Sequence, residues 1–265
     1  MINLRNVNKR YGKFQALKDA SLSVKKGDIY GLIGKNGAGK TTIFKTILGL
    51  TRYSGSVSIA DSKNSCELLK NRRRIGFFID SGFFDYLNAR ENLKYYCRLK
   101  GIKKQKSEIE RVLKVVELDK VKKKYKSFSM GMKQRLGIAR AILGDPEMLI
   151  FDEPANGLDP QGIADIRRLM KKLNDEGKTI LISSHILNEL EHTATRFGII
   201  DGGKVLRELE KKDLKETTDF VELKVDDIKK AKLVLAKAGV KILGEGNSST
   251  SLEDYYFKLV GGSNA

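Results

Sequence analysis

The chain has 265 residues, is 40% hydrophobic, and sets 51 Lys and Arg against 33 Asp and Glu, for a net charge of +18. No apolar run reaches the roughly 18–20 residues that a bilayer span requires, and the start Met1-Ile2-Asn3-Leu4-Arg5 lacks the apolar stretch of a signal peptide. Two Cys and two His exclude a disulfide framework and a zinc site. A cytoplasmic protein is expected, with Cys66 and Cys97 as packing residues. The basic balance suits a polyanion or an anionic membrane surface. Specific nucleic-acid binding is not expected, because the lysines are not interleaved with aromatics on one face.

In chain order, residues 2–7 and 21–33 read as strands, short apolar stretches bounded by Gly and Lys. Asp28-Ile29-Tyr30-Gly31-Leu32-Ile33 reads as a buried strand that feeds a Gly-rich turn and a helix over residues 41–50. Residues 54–60 and 75–79 read as strands, with a polar stretch at 63–74 between them. From Asn88 to about Lys126 the pattern is helical, with Leu93, Tyr96, Cys97 and Leu99 roughly on one face and Ile109, Val112, Leu113 and Val116 on another. Asn88-Ala89-Arg90-Glu91 resembles a capping box. Helices follow at 161–174 and 186–193, strands at 148–151, 179–183, 197–201 and 204–208, and Gly202-Gly203 forms a hairpin turn. The alternation predicts an α/β parallel sheet, with a β-rich start and a helical insert at about 85–145. After a polar linker, residues 219–265 read as a small appendage: strands at 220–225 and 240–243 around a helix at 227–238, then a short helix at 252–259.

Gly34-Lys35-Asn36-Gly37-Ala38-Gly39-Lys40-Thr41 fits the phosphate-loop pattern G-x-x-x-x-G-K-[ST], in the strand–loop–helix setting that the pattern needs. Glycines let backbone N–H groups curl around phosphates. Lys40 would reach the β- and γ-phosphates, Thr41 would ligate Mg²⁺, and the helix start favours the same negative charge. Met148-Leu149-Ile150-Phe151 runs into Asp152 and Glu153. Acids at the carboxyl end of such a strand lie where open α/β sheets do chemistry. Asp152 is expected beside the metal, and Glu153 as the base that orients and deprotonates the attacking water. His185 ends another strand and could donate to a γ-phosphate or that water. Tyr11 could stack on a base. The turn Ser129-Met130-Gly131 opens a helix and makes a second anion-binding start. Two half-sites for one anion suggest a dimer with the anion between subunits.

The order Tyr11, residues 34–42, Ser129-Met130-Gly131, residues 149–153, Asp159 and His185 resembles the ATP-binding subunit of ABC transporters over residues 1–210. The resemblance implies a P-loop NTPase fold: a RecA-like parallel sheet core, an N-terminal antiparallel β subdomain, an α-helical insert and a small C-terminal α+β extension. It implies ATP and Mg²⁺ as cofactors, with Thr42 among the nucleotide-binding residues. Ser129 and Gly131 would belong to a signature turn that binds the γ-phosphate held by a second ATPase subunit, a homodimer being expected. Asp159 would act across that dimer, and His185 would be the switch histidine. The helical insert would touch a separate membrane permease, so the chain would lie on the cytoplasmic face of the cell membrane.

Two departures narrow the resemblance. The family signature L-S-G-G-Q reads Phe128-Ser129-Met130-Gly131-Met132, and Asp80 stands where a glutamine should close the strand at 75–79. This pairing, with the ending at 252–259, is similar to the ATPases of bacitracin and lantibiotic resistance and immunity exporters. Asp80 could still bind Mg²⁺ or its water. The rival class, soluble ABC ATPases of translation or DNA maintenance, carries two ATPase domains or a long coiled coil between phosphate loop and signature. The stretch from Lys40 to Ser129 is too short for that coil and lacks heptads.

Overall fold

In a computed structural model, residues 1–62, 64–79, 82–214 and 225–240 are described. The chain divides into two units, Met1–Glu210 and Lys211–Ala265. The first unit opens with β1 (Ile2–Tyr11) and β2 (Phe14–Val24), an antiparallel pair longer than the sequence suggests, extended by β4 (Ser54–Ile59) into a sheet of order β2-β1-β4.

The second sheet contains β3 (Ile29–Ile33), β5 (Ile75–Phe78), β6 (Met148–Asp152), β7 (Thr179–Ser184), β8 (Arg196–Asp201) and β9 (Lys204–Glu210), in the order β5-β6-β7-β3-β8-β9. The first five strands of that order run parallel, and β9 returns antiparallel through Gly202-Gly203. All five residues of β3 are buried. A strand covered on both faces must be apolar throughout, which is why residues 29–33 do not alternate. Helix α1 (Lys40–Leu48) packs Ile43, Phe44 and Ile47 into the core with Tyr30, Leu32 and Ile150. Each such side chain contributes roughly 1.5–3 kcal/mol through burial.

The polar stretch at 63–74 holds a helix that the apolar pattern does not reveal. Helix α2 (Ser65–Arg72) buries no residue and starts on Asn64, whose side chain accepts from the Glu67 N–H at 3.0 Å. Cys66 on this helix is exposed, against the expectation of a packing role, whereas Cys97 is buried.

The helical insert begins with α3 (Ala89–Leu99), where Asn88 and Glu91 form the expected capping box. It continues through α4 (Gln105–Val115) and ends on α5 (Met130–Ala141). The stretch at 88–126 is thus two helices and a loop, because Gly101 at φ +67 ends the first one. Asn92 is fully buried and bonds the backbone of Phe84 both ways, accepting its N–H at 2.9 Å and donating to its carbonyl at 3.2 Å. Helix α6 (Pro160–Asp175) precedes β7, and α7 (Leu187–Thr193) lies between β7 and β8.

In the second unit, α8 (Ile228–Lys237) is capped by Asp227, which accepts from the Lys229 and Lys230 N–H groups. The expected strands at 220–225 and 240–243 and the helix at 252–259 lie outside the described residues, except for residues 225 and 240, which are not in strands. Among the described residues no helix is long and apolar enough to cross a membrane.

Candidate nucleotide site

The sheet order brings the carboxyl ends of β3, β6 and β7 side by side. The loop after β3 turns at Gly37 (φ +82) and Gly39 (φ +112) and enters α1 without a side-chain cap. The first N–H groups of a helix lack intrahelical partners, so this start offers donors and a positive dipole end to an anion. Gly34 is required by packing: a Cβ there would stand 2.4 Å from the carbonyl oxygen of Ile200.

Lys40 is the first residue of α1 and is only 6% exposed. Its Nζ donates to the carbonyl oxygens of Gly34 at 2.5 Å and Lys35 at 3.3 Å, and lies 3.0 Å from Glu153 Oε1. The Thr41 hydroxyl donates to Asp152 Oδ2 at 2.5 Å. The other Asp152 oxygen accepts from the Ser183 hydroxyl at 2.6 Å. Glu153 Oε2 lies 2.7 Å from His185 Nδ1. Glu153 itself has φ +50, a left-handed conformation uncommon for a residue with a side chain.

Lys40, Thr41, Asp152, Glu153 and His185 therefore form one cluster at the end of the Gly-rich loop, joined by the Lys40–Glu153 ion pair and by hydrogen bonds that run through Ser183. Among the described residues no group of three His, Cys, Asp or Glu could hold a metal. The Thr41–Asp152 pair nevertheless fits Mg²⁺ delivered with a nucleotide. A threonine hydroxyl that donates its proton to a carboxylate keeps its lone pairs for a cation, and Mg²⁺ is usually held by one or two protein oxygens plus phosphates and water.

The remaining expected site residues stand elsewhere. Ser129 caps α5, its hydroxyl accepting from the Met132 N–H at 3.4 Å. Asp159 caps α6, accepting from the Gly162 N–H at 2.9 Å. These two helix starts adjoin: an added Cβ on Gly131 would lie 3.8 Å from Leu158, and one on Gly157 3.8 Å from Met130. Met130 is exposed. Tyr11 ends β1, with the Lys9 ammonium 4.5 Å from its ring centroid. Thr42 lies on α1 behind Thr41 and accepts from Thr46 through its carbonyl. Asp80 lies outside the described residues. Ser183 was not anticipated, since a serine in a β-branched strand carries no signal until strand register sets it beside Asp152.

A Gly-rich loop between strand and helix, with two acids at the end of a nearby parallel strand, defines the phosphate site of a P-loop nucleotide hydrolase. The ABC transporter family profile matches residues 17–156. The bacitracin transport ATP-binding protein BcrA of Bacillus licheniformis is 40% identical, over 99% of this chain and 98% of its own length. The lantibiotic transport ATP-binding protein SrtF of Streptococcus pyogenes is 41% identical, over 79% of this chain and 91% of its own. Among solved structures, a dimeric post-hydrolysis state of an ATP-binding cassette bound to ADP and Pi is similar at a TM-score of 0.70 and 30% identity, over 80% of this chain and 99% of that one. The chain belongs to the ABC transporter family, as an ATP-binding and ATP-hydrolysing subunit.

Proposed function

We propose that this subunit powers a separate membrane permease that exports peptide antibiotics of the bacitracin or lantibiotic kind and so confers resistance or immunity. The observation that carries the reading is the end-to-end similarity to a bacitracin transport ATP-binding protein, which runs through the C-terminal extension as well as the cassette. Residues 1–210 are the ATPase domain, with the helical insert at about 85–145, and residues 219–265 are the extension.

In this reading the loop at 34–42 cradles the triphosphate and Lys40 neutralises its terminal charge. Bound Mg²⁺ would supply charge neutralisation on the phosphates and would be held by Thr41 and Asp152, with Asp80 as a further oxygen donor to the ion or its water. Glu153 accepts the proton of the attacking water, and His185, 2.7 Å away, holds that carboxylate in place. Tyr11 stacks on adenine with the ring face that Lys9 leaves open. Ser129 and Gly131 serve the nucleotide of a second copy, so two ATP molecules sit between two head-to-tail chains, with Asp159 at the same interface. The adjacency of the Ser129 and Asp159 helix starts supports one shared surface. The helical insert meets the permease and keeps the chain at the cytoplasmic face of the membrane. No specific nucleic acid is involved.

The test is co-expression with the candidate permease in a bacitracin- and lantibiotic-sensitive host. Tolerance should rise with the wild-type chain and vanish with Lys40→Ala or Glu153→Gln. Equal tolerance in all three strains would refute an ATP-driven export role.

A further inference from the structure

We propose that Ser183 is a positioning residue for hydrolysis, a single buried hydroxyl that sets both acids of the site at once. The proposal rests on the roles given above to Asp152 and Glu153. Ser183 is fully buried near the end of β7, in register with Asp152 on β6. Its hydroxyl donates to Asp152 Oδ1 at 2.6 Å and accepts the Glu153 N–H at 2.9 Å.

A serine hydroxyl has one proton to give, and here that proton goes to Asp152. Asp152 Oδ2 already takes the Thr41 proton. The carboxylate is thus gripped through both oxygens, one from α1 and one from β7, which fixes its plane. A carboxylate held by one oxygen keeps freedom to swing about its Cβ–Cγ bond. The second Ser183 bond acts on the neighbouring residue. Glu153 has φ +50, a conformation that costs of order 1–3 kcal/mol and persists only where the surroundings over-determine it. The bond to its N–H is one of those determinants, and it aims the Glu153 side chain at Lys40 and His185. The adjacent Ser184 does different work: its hydroxyl accepts from the Ile186 N–H at 2.9 Å and shapes the turn after β7.

Removing the Ser183 hydroxyl takes away a hydrogen-bond partner from the Glu153 N–H and from one oxygen of the half-buried Asp152 carboxylate, and a polar group that loses its partner is costly to the extent that water cannot replace it. Outer partners of metal-side ligands typically carry 10–100-fold in affinity or rate. In full-length Ser183→Ala, kcat for ATP should fall about 10–100-fold while KM for ATP moves little. The Mg²⁺ concentration at half-maximal binding of a fluorescent ATP analogue should rise by a similar factor, and Mg²⁺-free binding of that analogue should stay unchanged. A purely structural serine would lower the melting temperature without moving the Mg²⁺ midpoint. Should the alanine variant fail to fold, Ser183→Cys, close in size but a weak donor, is read on the same two measurements. Wild-type kcat and Mg²⁺ midpoint in a folded variant overturn the assignment. Glu153→Gln is measured in parallel: full turnover there defeats the hydrolytic reading itself, whereas lost turnover there with a normal Ser183→Ala defeats only the role of Ser183.

Discussion

Lys40 and Glu153 lie 3.0 Å apart, although one opens α1 and the other follows β6. The ammonium that should meet a phosphate is thus already paired with the carboxylate that should activate water. On the roles proposed above, nucleotide phosphate and Glu153 would compete for one buried cation.

Glu153→Gln removes one side of that competition. ATP affinity should rise while turnover falls on the order of 10²–10³, the usual consequence of losing one preorganised group. Titration calorimetry and phosphate release check the two halves. Unchanged affinity would show that the ion pair does not oppose binding.

Gly34→Ala and Gly37→Ala should separate packing from backbone strain. The first puts a Cβ 2.4 Å from the Ile200 carbonyl, so rigid backbone must move. Overpacking of this kind typically costs about 1–3 kcal/mol, and the phosphate loop itself would shift. The second meets nothing within 4 Å but keeps φ +82, a left-handed cost of roughly 1–2 kcal/mol. Urea midpoints should fall in both, and ATP binding should suffer more in Gly34→Ala. The reverse order would contradict the packing account.

Asn88→Ala breaks the capping box of α3 and should cost about 0.5–2 kcal/mol. The loss should appear as a lower melting temperature with ATP turnover of the isolated chain nearly intact. Amide exchange should locate it at residues 89–92.

Glu108 gives a pH-dependent prediction. Its hydrogen bonds from Arg111, at 2.7 and 2.9 Å, hold its carboxyl below the usual range, helped by the Gly144 N–H at 2.7 Å. A depressed carboxyl stabilises the fold above its unfolded pKa, near 4.3, and that contribution is lost as pH falls through the lower folded value. Wild type should therefore out-melt Glu108→Gln at pH 7, and the gap should close as pH falls below about 4. A gap that widened in acid would reverse the sign of the argument.

Legibility in the sequence followed the range of the interactions. The phosphate loop, the strand ending in Asp152 and Glu153, and the cap at Asn88 are local, and each could be read from consecutive residues. Helix α2 buries nothing, so it leaves no apolar stripe. Its signal was the Asn64–Glu67 spacing of an N-cap. Ser183 could not be found by any local pattern, because its role exists only through the parallel register of β7 on β6. The adjacency of Met130 and Gly157 likewise joins residues that no spacing rule connects. The Lys9 ammonium over the Tyr11 ring is local by contrast, since residues two apart on a strand share a face.

The hairpin from β8 to β9 reaches further than its place at the sheet edge suggests. Gly203 donates to the Ala38 carbonyl at 3.0 Å, inside the phosphate loop, and accepts from the Lys18 N–H at 2.9 Å. On β9, Glu208 takes the Tyr30 hydroxyl at 2.7 Å from the strand that feeds the same loop. Burial first, and then the Glu208 carboxylate, push the Tyr30 phenol above its usual range and keep it a neutral donor. The phosphate loop is therefore braced from behind by the last strand of its own unit. Substitutions in the β8–β9 hairpin that break these bonds should cost nucleotide binding although no residue of the phosphate loop has been touched.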